Sequence, residues 1–162
     1  MTVHPLDPVF DQNARVLILG SFPSVRSRKV GFYYGHPQNR FWKVLAAVCD
    51  APVPASIDEK KAFLLANGIA LWDVVGACDI TGSADSSIRN ALPNDVPALL
   101  AKAPRIGALY LNGRTAEAYY RRYLAAKIAL PAVALPSTSP ANAAFSLEAL
   151  VSAWRVVRDG GK

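Results

Sequence analysis

Four short apolar runs, each followed by a helical pattern, constrain this chain more than any other feature. Arg15 to Leu19, Ile69 to Val75, Ile106 to Leu111 and Ala132 to Leu135 are continuous, helix-poor in length and bounded by turn residues. Such runs mark strands covered on both faces of a parallel sheet. Between the first two, Phe41, Trp42, Val44, Leu45 and Val48 recur at helical spacing and predict a helix from near Asn39 to before Pro52. Ser56-Ile57-Asp58-Glu59 is a capping box and Asn67-Gly68 a left-handed stop, so a second helix covers about 57 to 67. Further helices are predicted over Val96 to Lys102, over Thr115 to about Ala126, and over a final stripe of Leu147, Leu150, Val151, Trp154 and Val157 that stops at Gly160-Gly161. Strands alternating with helices predict a three-layer α/β/α sandwich with a central four-stranded parallel sheet. The 162 residues fit one domain, 1–162.

Ligands of such sheets bind at the carboxyl ends of the strands. Here those ends open into polar loops: Gly20 to Gln38, Gly76 to Asn90, Asn112-Gly113 and Pro136 to Ala144. The first takes about twenty residues, where an ordinary connection takes a few, and it carries Phe22, Tyr33, Tyr34 and His36, with Asn39 just beyond. A pocket is expected there.

Charge narrows the partner. Lys and Arg number 18 against 12 Asp and Glu, a net charge of +6, which favours a polyanion such as nucleic acid. A hydrophobic fraction of 52% with 19% charged residues excludes a disordered chain. Cys49 and Cys78 have no Cys or His pair nearby to make a zinc or iron–sulfur site, and they read as buried free thiols of a reducing compartment. The first fifteen residues lack a basic start and an apolar core, and no run approaches membrane-spanning length, so the expectation is a cytoplasmic protein with no membrane partner.

Most familiar chemistries fail on residue type. Gly20-Ser21-Phe22-Pro23-Ser24 has one glycine and no Gly-Lys-Ser/Thr, so it is neither a phosphate loop nor a dinucleotide fingerprint. Ser21 lacks the glycines of a nucleophile elbow, and His4 and His36 are the only histidines. Amides, hydroxyls, aromatic rings and a histidine remain. That inventory suits reading a planar base by stacking and hydrogen bonds, with the hydroxyls of Ser137, Thr138 and Ser139 holding phosphates.

Three segments carry a family resemblance: Gly20-Ser21-Phe22-Pro23-Ser24, Tyr33-Tyr34-Gly35-His36-Pro37-Gln38-Asn39-Arg40-Phe41-Trp42, and Pro136-Ser137-Thr138-Ser139-Pro140-Ala141. In this order, after the first and fourth strands, they resemble the uracil-DNA glycosylase superfamily, and within it the hypoxanthine-DNA glycosylase branch. The block His36 to Lys43 is also similar to the mismatch-specific uracil glycosylases. The resemblance implies a monofunctional enzyme that hydrolyses the bond between a flipped, deaminated base and deoxyribose, without metal or cofactor, acting on deoxyinosine-containing DNA; a monomer is the default expectation for a protein that scans DNA. It implies Asn39 as the catalytic amide and His36 as a group stabilising developing charge. Gly20, Ser21, Phe22 and Pro23 would line the base edge and Tyr34 would stack on it. Ser137, Thr138, Ser139, Pro140, Ala141 and Asn142 would grip phosphates and enter the minor groove. Phe22 departs from the pattern, because other branches place Asp or Asn there to orient water.

Plainer readings compete. Asn39 could only cap the helix beginning at Arg40, Tyr33 and Tyr34 could be loop packing, His36 could satisfy a backbone group, and Ser137 and Ser139 could be turn hydroxyls. Trp42 and Trp154 read as core, and Arg121 and Arg122 as a solvated helix face. Asp73 and Asp85 are the carboxylates in strand-end loops. The alternatives to hypoxanthine excision are a mismatch-specific uracil or thymine glycosylase, a non-catalytic damaged-DNA binding module, and a nucleoside or nucleotide hydrolase.

Overall fold

The computed structural model describes residues 1–160. In chain order the strands are β1 (Thr2–Val3), β2 (Val16–Gly20), β3 (Ile69–Asp73), β4 (Val75–Asp79), β5 (Arg89–Pro93), β6 (Ala108–Asn112) and β7 (Ala132–Leu135). The helices are α1 (Val25–Val30), α2 (Phe41–Val48), α3 (Ile57–Ala66), α4 (Val96–Lys102), α5 (Arg114–Tyr123), α6 (Leu147–Trp154) and α7 (Val156–Asp159).

The sandwich is as the sequence predicts. A parallel sheet runs β3-β2-β6-β7, and every residue of β2 is buried because both of its faces are covered. Alternation along the strand divides the core. Val16 and Ile18 face a cluster with Phe41, Leu45, Leu64 and Trp154 of α2, α3 and α6, while Leu17 and Leu19 face Leu99, Ala116 and Tyr120 of α4 and α5. Trp42 and Trp154 are core, as read from the sequence.

The segment after β3 differs from expectation. Ile69 to Val75 is not one strand: it ends at Asp73 and restarts at Val75 as β4. The stretch read as a polar loop up to Asn90 instead holds β4 and β5, which pair antiparallel with β1 in a second sheet of order β1-β4-β5. Its pairing slips twice, between Val75 and Ala77 and between Ala77 and Asp79, so the two-residue periodicity that announces a strand is broken. Phe22, Val75, Cys78, Ile88 and Ala91 make a small core under it.

Two smaller differences matter locally. The first long loop contains α1, whose six residues carry no apolar stripe but are bounded by a Ser24 cap that accepts from Ser27 N and by Gly31 at φ 79°. The last helix breaks at Arg155 into α6 and α7 and ends at Asp159; of the predicted stop, Gly161 lies outside the described residues. Cys49 and Cys78 are free, Cys78 buried and Cys49 half-buried, and burial raises both thiols above their usual range.

Candidate active site

Register sets the site. Gly20 lies opposite Asp73, and Asn112 opposite Leu135, so four strand ends deliver the motif loops to one edge of the sheet. Between them lies a cleft of about 290 Å³, at the small end of ligand pockets and suited to one ring system. Its wall takes Gly20, Ser21, Phe22 and Pro23 from the first loop, with Tyr34, His36 and Asn39 beyond it. Ser137, Thr138, Ser139, Pro140 and Ala141 complete it from the loop after β7. Of the residues singled out in the sequence, Asn142 is not in the wall: its Nδ2 donates to Ser137 O at 3.0 Å and shapes the loop from behind.

Asn39 lies one residue before Arg40, the N-cap of α2, and is not itself the cap; its Oδ1 accepts from Phe41 N, the first residue of the helix, at 3.0 Å. The same oxygen accepts from Thr138 Oγ1 at 2.9 Å. Thr138 Oγ1 in turn accepts from Asn112 Nδ2 at 3.1 Å, and Thr138 N donates to Asn112 Oδ1 at 3.1 Å. Asn112 Nδ2 also donates to Tyr34 Oη at 3.1 Å. Each donor in this chain fixes which way the next amide faces. Both lone pairs of Asn39 Oδ1 are therefore committed, and Nδ2 is the group that Asn39 can offer a ligand. Thr138 is fully buried; its hydroxyl is spent on this bridge and is not a phosphate grip.

Tyr34 sits at φ 52°, a left-handed backbone that non-glycine residues rarely adopt and that tends to gather at functional sites. Phe41 stacks on one face of its ring, centroids 3.9 Å apart, leaving the other face as the one able to meet a base. Burial, then the neighbouring Asp73 charge, raises the phenol far above its usual range, so it remains protonated. Tyr33 is 2% exposed and donates its hydroxyl to Asp7 O at 2.8 Å, which makes it packing, in keeping with the plainer reading.

The floor holds a pair that the sequence did not announce. His4 follows β1 and Asp73 ends β3; His4 Nε2 donates to Asp73 Oδ2 at 2.7 Å, both side chains all but buried. Leu6 N donates to His4 Nδ1 at 3.2 Å, which places the ring hydrogen on Nε2. Asp73 Oδ1 lies over Gly20, where an added Cβ would come within 2.5 Å of it and 2.7 Å of Tyr34 Oη. Only glycine fits there. Asp73 had stood out as a strand-end carboxylate, whereas His4 gives no signal without the second sheet that brings β1 to β4.

The rim is also built. Phe22 is 8% exposed, its ring in the small core of the second sheet and edge-on to His4 at 5.8 Å. Asp85 lies across from it, its Oδ1 accepting from Ser21 Oγ at 2.8 Å. His36 is exposed; its Nδ1 accepts from Gln38 N at 3.1 Å, so its free nitrogen Nε2 is a donor. Ser137 and Ser139 hydroxyls accept from Ser139 N and Ala141 N, as turn residues do. Arg40 clamps the loop by donating to the carbonyls of Asn142 and Phe145, and Trp154 Nε1 holds its start through Pro136 O at 2.9 Å.

Known proteins resemble this chain in sequence and fold. The family model for the Uracil DNA glycosylase superfamily matches residues 8–158. A protein of Methanosarcina acetivorans named hypoxanthine DNA glycosylase is 37% identical over 139 residues, covering 85% of this chain and 87% of the relative. One of the same name from Methanosarcina barkeri is 34% identical over 113 residues, covering 69% of this chain and 72% of the relative. A solution NMR structure of a Methanosarcina acetivorans protein, assigned by name to the uracil DNA glycosylases, superimposes with a TM-score of 0.82 at 34% identity over 94% of both chains. The chain belongs to the uracil DNA glycosylase superfamily.

Proposed function

We propose that the chain is a monofunctional DNA glycosylase that excises hypoxanthine from deaminated DNA, with the flipped base in the cleft between Asn39 and Asp73. The observation that carries this reading is the fixed direction of the Asn39 amide. With Oδ1 locked by Phe41 N and Thr138, Nδ2 is pre-set to donate to a base that gains negative charge as the glycosidic bond breaks. A donor aimed in advance at developing charge costs no reorganisation during the reaction.

Asp73 supports the choice of base. Deamination of adenine turns N1 from an acceptor into an N–H donor. A carboxylate oxygen at the floor accepts from that N–H and repels the lone pair of undamaged adenine, and the same logic separates uracil from cytosine. Tyr34 offers a ring face for stacking and His36 a donor at the rim. Deoxyuridine is accordingly the second substrate this floor admits. The positive net charge favours the phosphate backbone, and DNA affinity should fall steeply with salt as counterions are released. The chain acts as a monomer in the cytoplasm in this reading.

The test is cleavage of end-labelled duplexes carrying one deoxyinosine, deoxyxanthosine or deoxyuridine, with hot alkali to break abasic sites, by the wild type and Asn39→Ala. Deoxyinosine cleavage that is lost in a folded Asn39→Ala variant supports the reading. Intact DNA binding with no cleavage of any of the three supports a non-catalytic module instead.

A further inference from the structure

Hydrolysis needs an acceptor for a proton of the attacking water, and most polar groups of the cleft are already committed. Asn39 Oδ1 has both lone pairs occupied. His36 presents a donor once Nδ1 has accepted from Gln38 N. The first-loop position that other branches of the superfamily give to Asp or Asn is Phe22 here, an apolar ring. Among the described residues in the wall, the carboxylates are Asp73 and Asp85. Asp73 is 3% exposed at the floor, tied to His4, where the base sits. Asp85 is exposed in the wall of the same cleft, on the solvent side on which the sugar of a flipped nucleotide enters.

We propose that Asp85 is a catalytic residue of this reaction, holding the attacking water at the sugar and stabilising the cationic sugar as the base departs; the assignment rests on the hypoxanthine reading above. As the C1′–N9 bond breaks, its electron pair leaves with the base. Water oxygen bonds to C1′, Asp85 takes one water proton, and that proton passes on to solvent or to the departed base. The products are free hypoxanthine and an abasic deoxyribose.

Placement and charge both support this role. The turn carrying Asp85 is pinned on several sides: Val25 N donates to Ser83 Oγ at 2.9 Å, Arg28 Nη2 to Gly82 O at 2.7 Å, Ser87 Oγ to Ala84 O at 2.7 Å, and Ser21 Oγ to Asp85 itself at 2.8 Å. A carboxylate so held keeps its position without help from substrate. An anion at the mouth also opposes a polyanionic ligand, so its presence calls for a compensating use, and a positively charged transition state supplies one. The Asp85 side chain reaches solvent, yet desolvation by the protein around the cleft still raises its carboxyl above the ordinary value, partly offset by the Ser21 hydroxyl, which makes the group a better proton acceptor.

The test is single-turnover release of hypoxanthine from a deoxyinosine duplex by wild type, Asp85→Asn and Asp85→Ser, alongside affinity for a duplex carrying the uncleavable 2′-fluoro analogue. The expected result is a rate about 100-fold lower in both variants, in the range of lost acid–base groups, with analogue affinity unchanged or tighter because an anion facing phosphate has gone. Rates within about threefold of wild type, or rate and affinity falling together, overturn the assignment of Asp85 and leave hypoxanthine excision standing. A wild type that releases no hypoxanthine fails the underlying reading, and the assignment falls with it.

Discussion

Thr138 donates its hydroxyl to Asn39 Oδ1 at 2.9 Å, joining two residues 99 positions apart. One lies just before α2 and the other after β7, so this buried hydroxyl joins the two motif loops alongside the Arg40 contacts and, together with Phe41 N, decides which end of the Asn39 amide faces the cleft.

Thr138→Val keeps the shape and removes that hydroxyl. Asn39 Oδ1 and Asn112 Nδ2 each lose a buried partner, a cost of about 1–3 kcal/mol, and the Asn39 amide becomes free to turn. Urea unfolding should show the destabilisation, and single-turnover excision should fall about tenfold or more because transition-state stabilisation is lost. Thr138→Ser should recover most of both.

Gly20→Ala has nowhere to put its methyl group, since it would approach Asp73 Oδ1 to 2.5 Å and Tyr34 Oη to 2.7 Å. Both atoms are held, Asp73 by His4 and Tyr34 by Asn112. Excision should drop about 100-fold as the floor is displaced, while circular dichroism reports an unchanged secondary structure.

His4→Phe leaves Asp73 buried without its ring donor. Removing one partner of a buried, hydrogen-bonded pair costs about 3–5 kcal/mol, so the midpoint of urea unfolding should fall clearly. Discrimination between deoxyinosine and deoxyadenosine in the surviving folded protein should narrow as well, because Asp73 loses the donor that fixes it.

Asp85 gives a pH signature in stability as well as in rate. Its carboxyl is raised in the folded protein, so the folded state holds a proton that the unfolded state has released. Between the unfolded and folded values, stability therefore falls as pH rises. Asp85→Asn should be more stable than wild type at pH 7, with the gap closing as pH is lowered through that window, as read by thermal unfolding across a pH series.

Much of the fold was legible because β2 and β6 are short continuous runs buried on both faces, and because α3 carries a sharp end signal at Ser56; β7 was read as doubly covered too, but it is the edge strand and leaves Val133 and Ala134 exposed. The second sheet was not legible: β4 and β5 pair with slipped register around Gly76, and β1 is two residues long, so no local pattern survives. The same gap hid His4, whose role exists only through that pairing. Asn39, Tyr34 and His36 were legible from their motif, and the structure brings them to one cleft. Thr138 looked like a phosphate-binding hydroxyl in its run of Ser and Pro; its burial comes from contacts across the whole chain, which no short window carries. Asn112 read as a turn residue because Asn-Gly usually is one, yet its side chain links Tyr34 to Thr138.

The most direct test of the account is chromatographic identification of the free base released by the wild type from a duplex containing one deoxyinosine, in parallel with duplexes containing deoxyuridine and deoxyadenosine. The wild type should release hypoxanthine in a single exponential that leaves an intact abasic strand, and should release no adenine. Absence of free hypoxanthine, or uracil released faster than hypoxanthine, would contradict the proposed function.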